Sequence, residues 1–326
     1  MSVIASAPAK VIIVGEHFVV EGEPAIAAAI NLRAKVRADL IDDRVVDIRT
    51  VDSNYSAKYS LDDLRLIESL GDSANFFEPL RALVMNAMEH FDLDSGFKLS
   101  IDSKIPVAVG LGSSASVLVA SAAALCKLFL GRIDRKLVLS LASKAEEVAH
   151  ARPSGIDPTI ATYGGILIYR KGEGFIRLNV KESFPIIIGV TSILRSTGEM
   201  VTRVRSLKNR FPEVFDPLYH SAGHLVIEAA RAIEDGDLAR LGVLMNVNHG
   251  LLSAVNVSNL ELEKLVYAAR SAGAFGAKIT GAGGGGSIIA VCSAENINKV
   301  VSAIESAGGR AIVAKLSLRG VSANVC

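Results

Sequence analysis

The feature of this sequence that most constrains its fold is a glycine-containing turn leading directly into a long apolar segment. Residues 104–116 read KIPVAVGLGSSAS, and residues 115–130 are almost entirely apolar. Glycine adopts backbone conformations closed to other residues, and Ser113 and Ser114 are residue types that often begin helices. Unpaired N–H groups and the positive end of a helix dipole would meet at this turn. The segment therefore predicts a phosphate site, or else a plain glycine turn before a buried helix.

Length, charge and cysteine content limit the classes of protein to consider. A chain of 326 residues favours two domains, and 35 basic against 34 acidic residues give no field that would attract nucleic acid or an anionic membrane. Cys126, Cys292 and Cys326 are far apart and contain no C-x-x-C pair, which fits neither a disulfide framework nor a zinc site. We find no run of the roughly 18 apolar residues that a membrane span requires. These properties predict a cytoplasmic protein.

Hydrophobic periodicity predicts a mixture of strands and helices. Strands are predicted at residues 3–14, 25–30, 34–41, 45–50, 97–101, 165–169, 184–190, 277–280, 287–292 and 310–316. Helices are predicted at residues 75–91, 115–130, 135–150, 198–209, 217–235, 238–255, 260–272 and 297–306, and residues 152–157 as a loop. Strict βαβ alternation is absent, so we expect an α+β fold with domains at 1–178 and 179–326.

Two glycine patterns match the dinucleotide-binding fingerprint in letters but not in context. Residues 110–115 read GLGSSA and are followed by two predicted helices in succession, whereas residues 281–286 read GAGGGG and lead into a strand. A dinucleotide fold requires a strand, a turn, a helix and then a second strand ending in an acid. The sequence also contains no G-x-x-x-x-G-K-[ST], which excludes a P-loop nucleotide hydrolase, and residues 112–116 do not form G-x-S-x-G.

Four segments in order resemble the GHMP small-molecule kinases and, within that family, the branch that phosphorylates mevalonate. They read APAKVIIVGEHFVVEGEPAIA at 7–27, PVAVGLGSSA at 106–115, PSGID at 153–157 followed by TYGG at 162–165, and KITGAGGGG at 278–286. Galactokinases carry Arg where Lys10 stands. The resemblance implies an N-terminal domain like domain 2 of ribosomal protein S5 and a C-terminal ferredoxin-like domain. ATP and an alcohol would meet in the cleft between them.

The resemblance also implies how the nucleotide is held. It assigns ATP binding to the turn residues Val109, Gly110, Leu111, Gly112, Ser113 and Ser114. It places the Ser114 hydroxyl and the Glu146 carboxylate on Mg²⁺, which prefers oxygen ligands. From the residues alone, Ser114 could simply cap the helix, and Glu146 could be a solvated helix acid like its neighbour Glu147.

Asp157 and Lys10 are the catalytic candidates that the resemblance implies. Asp157 would accept the proton of the substrate hydroxyl, and Lys10 would keep that carboxylate ionised and stabilise the forming alkoxide. The alternatives are an aspartate that forms a turn and a strand lysine that faces solvent. The resemblance further assigns substrate binding to Glu16, His17, Ser154 and Thr197.

The sequence therefore predicts ATP-dependent phosphorylation of mevalonate, with Mg²⁺ as cofactor and small molecules as partners. A related kinase acting on another alcohol, such as galactose or phosphomevalonate, is the first alternative. The others are a non-catalytic ligand-binding relative and a dehydrogenase. His220 and His224 lie four residues apart but lack the Glu of H-E-x-x-H, which argues against zinc. The oligomeric state stays open, with a homodimer as one candidate.

Overall fold

The computed structural model describes residues 1–51, 54–91, 93–149, 154–193 and 197–326. Within these residues the strands are β1 (Ser2–Val14), β2 (Ala25–Ile41), β3 (Val45–Thr50), β4 (Ser56–Ser60), β5 (Leu66–Ser69), β6 (Gly96–Ser103), β7 (Ile166–Arg170), β8 (Gly174–Arg177), β9 (Pro185–Val190), β10 (Ala274–Thr280), β11 (Ser287–Cys292), β12 (Arg310–Lys315) and β13 (Ser322–Val325). Short 3₁₀ turns add Phe18–Glu21 and Ala294–Asn296. The strands form two separate sheets.

The first sheet has the order β13-β1-β2-β6-β3-β4-β5, and β7 pairs with β2 while β8 pairs with β7. Its pairs are antiparallel except for β3 with β6. The two strands predicted at 25–30 and 34–41 are one continuous strand, because a register shift absorbs the polar residues between them. Pro8 faces Arg33 whereas Ala9 faces Ile30, so β2 carries the extra residues where proline lacks the N–H that the ladder needs.

The helices of the described residues are α1 (Ser73–Phe76), α2 (Glu78–Met88), α3 (Ser113–Leu130), α4 (Arg135–Ala149), α5 (Ile156–Tyr163), α6 (Thr197–Arg210), α7 (Pro212–Asp235), α8 (Leu238–Ala254), α9 (Leu260–Ser271) and α10 (Ile297–Ser306). The helix predicted at 75–91 is divided at Phe77, and the second part begins with Pro79 among its first residues. Proline is compatible with the first turn of a helix but not with its interior.

Helix α3 is the central helix of the first half. It packs against β1, β2 and α4, and its apolar side chains join those of the sheet in one core. Contrary to the expectation from the sequence, α3 is long and apolar enough to cross a membrane, with a mean hydropathy of 1.7, but 67% of it is buried inside the protein. Burial on nearly every side explains why its sequence is apolar all round.

The second sheet is antiparallel, with the order β10-β11-β9-β12, and its central strands β11 and β9 are buried on both faces. On β9, Ile186 and Ile188 contribute to a core shared with β1 and β2, whereas Ile187 contributes to a core with α9 and α10. The mainly antiparallel sheets confirm the predicted α+β class. The predicted boundary after residue 178 falls between β8 and β9. It remains a prediction, because β13 returns to pair with β1 in the first sheet.

Candidate active site

Lys10 and Asp157 form an ion pair where β1 meets the beginning of α5. Lys10 Nζ lies 3.0 Å from Asp157 Oδ1, and the two side chains are 6% and 24% exposed. The residues around Lys10 on β1 are buried, so its charge needs a partner close by. The structure therefore brings together the two residues predicted to be catalytic and leaves part of the carboxylate accessible.

Asp157 lies in the first turn of α5, whereas the sequence predicted a loop over residues 152–157. Residues 150–153 are outside the described part of the chain, and the helix begins at Ile156 after Gly155, which has a φ of 81°. An acid and a proline are both typical of the first turn of a helix, and here Pro158 follows Asp157. The loop prediction is therefore wrong from Ile156 onward, since Pro and Gly here mark a helix start.

The glycine turn lies directly against this ion pair. Lys10 N donates to Leu111 O at 3.0 Å. A Cβ added at Gly112 would lie 2.9 Å from Lys10 Cγ and 3.4 Å from Asp157 Oδ2. Gly110 and Gly112 have φ values of 87° and 73°, a backbone region that other residues rarely enter. The turn thus needs glycine both for its conformation and for its close approach to the Lys–Asp pair.

The N-terminus of α3 lies beside the same Lys10–Asp157 pair. Gly112 is the N-cap and makes no side-chain cap, and Ser113 and Ser114 are the first two helical residues. Ser114 is exposed, so its hydroxyl is accessible beside the uncapped N–H groups. Ser116, which the sequence analysis did not single out, lies with Oγ 2.8 Å from both Pro8 O and Gly112 O and joins the turn to β1. An uncapped helix start of this kind is suited to an anion.

Glu146 on α4 is the third charged group of this cluster. It is 6% exposed, whereas its neighbour Glu147 is exposed to solvent. Burial and, to a smaller extent, the charge of Asp157 raise the pKa of Glu146 to about 8, although Lys10 opposes both effects. Two carboxylates therefore share one lysine, and the cluster lacks positive charge.

This charge imbalance fits a divalent cation. A cation near Glu146 would restore its ionised form, and the exposed Ser114 hydroxyl offers a second oxygen. Among the described residues, no three His, Cys, Asp or Glu side chains converge as a metal-ligand group. A cation bound here would therefore need phosphate oxygens or waters as further ligands, which is how Mg²⁺ usually binds with nucleotides.

Glu16 forms a fully buried ion pair with Lys278. The two side chains are 1% and 0% exposed. Asn248 Nδ2 donates to Glu16 Oε2 at 3.1 Å, and Gly15 N donates to Asn248 Oδ1 at 3.2 Å. Burial raises the pKa of Glu16 and lowers that of Lys278, and the attraction between the two charges opposes both shifts. Lys278 was not predicted to be functional, although a lysine within the apolar strand β10 is a signal that could have been followed.

His17 joins the corner after β1 to the second glycine run. Its φ is 63°, its side chain is 6% exposed, and its Nε2 lies 2.9 Å from Ala282 O. Within the same run, Gly284 N donates to Val257 O at 2.7 Å, and a Cβ at Gly283 would lie 2.3 Å from that oxygen. The glycines let residues 281–286 pack closely against His17 and Val257. Glu16 and His17 have little exposed surface, and their predicted contact with substrate remains a prediction.

The remaining predicted residues are Val109, Ser154 and Thr197. Val109 is buried, and its carbonyl accepts a hydrogen bond from Ser287 Oγ at 2.7 Å, which connects the two glycine segments. Ser154 is half-buried, and its carbonyl accepts a hydrogen bond from Tyr169 OH at 2.7 Å. Thr197 begins α6, but its side chain lies outside the described residues. Neither Ser287 nor Tyr169 belongs to a sequence motif that would have marked it.

Comparison with known proteins agrees with this geometry. Residues 80–165 match the family model of the GHMP kinases N terminal domain, and residues 229–310 match that of the GHMP kinases C terminal. A mevalonate kinase of Thermococcus sibiricus is 43% identical, covering 98% of each chain. The crystal structure of L. major mevalonate kinase in complex with R-mevalonate is 30% identical, with a TM-score of 0.81 over 96% of this chain and 95% of that one.

A second solved structure of a mevalonate kinase has the same fold. The mevalonate kinase of Methanococcus jannaschii is 27% identical, with a TM-score of 0.84 over 96% of this chain and 98% of that one. The predicted two-domain fold and the family resemblance are both confirmed. The segment at 7–27 contacts the other three, through Lys10 with Leu111 and Asp157 and through Glu16 with Lys278. The chain belongs to the GHMP kinase family.

Proposed function

We propose that this protein transfers the γ-phosphoryl group of ATP to the C5 hydroxyl of mevalonate, giving 5-phosphomevalonate and ADP for isoprenoid synthesis. The observation that carries the proposal is the Lys10–Asp157 pair, 3.0 Å apart and packed against Gly112 at the uncapped start of α3. An acid and an amine thus lie beside a glycine turn whose helix start is suited to a phosphate.

In this proposal Asp157 accepts the proton of the C5 hydroxyl as that oxygen attacks the γ-phosphorus. Lys10 keeps the carboxylate ionised and offsets the charge that develops on the attacking oxygen. The ion pair holds the Lys10 amine, and the hydrogen bond from the Lys10 backbone N–H to Leu111 O holds the strand that carries it. The amine is therefore already in place before reaction. This pre-organisation is the main contribution that a protein makes to phosphoryl transfer.

The nucleotide would bind at the glycine turn, with backbone N–H groups of Gly110 to Ser114 directed at its phosphates. Mg²⁺ would be held by Ser114 and Glu146 together with phosphate oxygens. When bound, it neutralises phosphate charge in the transition state. The walls of the alcohol site would include His17, Ser154 and Thr197, with Glu16 holding the corner from behind through Lys278.

The proposal also covers location and partners. Cys126 and Cys292 are buried free thiols and Cys326 is an exposed one, which suits the reducing cytoplasm. The partners would be ATP and mevalonate, without nucleic acid or a membrane surface, and a homodimer is the oligomer to test first by light scattering.

A coupled assay of ADP release against mevalonate, galactose, homoserine and phosphomevalonate tests the substrate. We expect turnover with mevalonate at least about 10³-fold above the others, because a site built around one alcohol leaves its buried polar groups unpaired with another. Preference for galactose or phosphomevalonate would reassign the substrate, and no ADP release with any alcohol would favour a non-catalytic binder.

Asp157→Asn tests the base. We expect kcat to fall by about 10²–10⁴ with the KM for ATP nearly unchanged. Asp237→Asn is the matched control, since Asp237 is also at a helix start, is exposed, and accepts a hydrogen bond from Arg240 N, which Asn can also accept. Equal activities of the two variants would contradict the role of Asp157.

A further inference from the structure

Tyr169 connects β7 to the turn that precedes the proposed base. Its hydroxyl donates to Ser154 O at 2.7 Å, across 15 residues of chain. The strand that carries it is held in the sheet, where Tyr169 pairs with Ala25 of β2. Tyr169 is half-buried, so this hydrogen bond is partly shielded from water. A fixed element of the sheet therefore holds the backbone three residues before Asp157.

The Tyr169 hydroxyl lies so close to Gly155 that it leaves no room for a side chain there. A Cβ added at Gly155 would lie 2.6 Å from the hydroxyl oxygen of Tyr169 but 3.6 Å from its Cζ. The φ of Gly155 is 81°, and this residue is the N-cap of α5. The turn is therefore shaped around the hydroxyl oxygen itself, while the ring leaves enough room for a methyl group.

The same hydroxyl lies within electrostatic range of the acidic cluster. Burial raises the pKa of Tyr169, and the charge of Glu146 raises it further. Thr159 Oγ1 donates to Gly155 O at 2.7 Å, which holds the turn from the side of α5. The Ser154–Gly155 turn is thus fixed from two directions, by β7 and by the helix that carries Asp157.

We propose that Tyr169 is a positioning residue: its hydroxyl fixes the Ser154–Gly155 turn and so sets the place of the Asp157 carboxylate relative to Lys10. This inference rests on the proposed function, in which Asp157 is the base. If Tyr169 acted only through packing, a phenylalanine would serve equally well, because the ring and its contacts would remain. The hydrogen bond from the hydroxyl is the feature that distinguishes the two cases.

Tyr169→Phe removes this hydroxyl alone. We expect kcat to fall by about 5- to 100-fold, the usual cost of displacing a positioned group by a fraction of an ångström, with the KM for ATP within about twofold of wild type. Tyr163→Phe is the matched control: Tyr163 ends α5 and packs its ring 4.6 Å from that of Phe175. It should keep kcat within about twofold. A Tyr169→Phe variant with wild-type kcat overturns the proposal.

A second measurement separates positioning from general loss of structure. Gly155→Ala should lower kcat more in the wild-type background than in the Tyr169→Phe background, because the 2.6 Å contact is with the hydroxyl that Phe lacks. An equal fold-change in both backgrounds would refute the proposal even if the single variants were poorly stable.

Asp157→Asn distinguishes a failure of the positioning role of Tyr169 from a failure of the proposed base. If Asp157→Asn is nearly inactive and Tyr169→Phe is normal, only the positioning role is lost. If Asp157→Asn keeps normal turnover, the base itself is wrong, and the positioning role is overturned with it.

Discussion

Replacing Lys278 by methionine tests the buried ion pair that joins the two halves of the chain. Lys278 and Glu16 are 262 residues apart in sequence, and both side chains are almost fully buried. Methionine fills similar volume without charge and leaves the Glu16 carboxylate with the Asn248 amide as its remaining side-chain partner. Because a desolvated charge would be stranded, the free energy of unfolding should fall by about 3–5 kcal/mol. For a chain of 326 residues, this corresponds to a Tm lower by about 4–7 °C.

Differential scanning calorimetry would measure this change. Lys58→Met is the matched control, since Lys58 and Glu68 also form an ion pair, at 3.1 Å, but are 40% and 70% exposed. Its Tm should change by less than about 1.5 °C, because exposed pairs contribute at most about 1 kcal/mol.

The double variant Glu16→Gln with Lys278→Met should recover part of the lost stability, since it removes the stranded charge. The reasoning is refuted if Lys278→Met melts like Lys58→Met, or if the double variant is no more stable than Lys278→Met alone.

Three further predictions concern the cleft. Gly112→Ala should lower kcat by about 10- to 10³-fold, because its Cβ would press on Lys10 at 2.9 Å; Gly131→Ala, with a φ of 70° but nothing within 4 Å, should keep kcat near wild type. Since the pKa of Glu146 rises from 4.5 to about 8 on folding, the metal-free protein should lose up to about 5 kcal/mol of unfolding free energy as pH rises between those values. Urea titrations of Glu146→Gln should lack that slope, and an unchanged slope would contradict the cause. Chelation of divalent cations should abolish ADP release and added Mg²⁺ restore it, whereas full activity in EDTA would exclude the proposed metal.

Much of the fold follows from local rules that the sequence displays directly. The glycine turn before α3 was predictable because positive φ and an apolar helical run are properties of a few neighbouring residues. Strand β3 and helix α10 occur where periodicity predicted them, within a residue. The short strands β4, β5, β8 and β13 were missed, because segments of four or five residues are too short for hydrophobic alternation to mark them.

By itself, the sequence determined the α+β class and the membership in the GHMP kinase family, because both depend on residues that are adjacent along the chain. The resemblance already implied that Lys10 lies beside Asp157, whereas only the tertiary structure decided that Glu16 pairs with Lys278. It also decided that Tyr169 reaches the turn before the base. The physical reason is that an ion pair or a buried hydrogen bond depends on the path of the whole chain and on the burial it produces. Neither property can be read from spacing in the sequence.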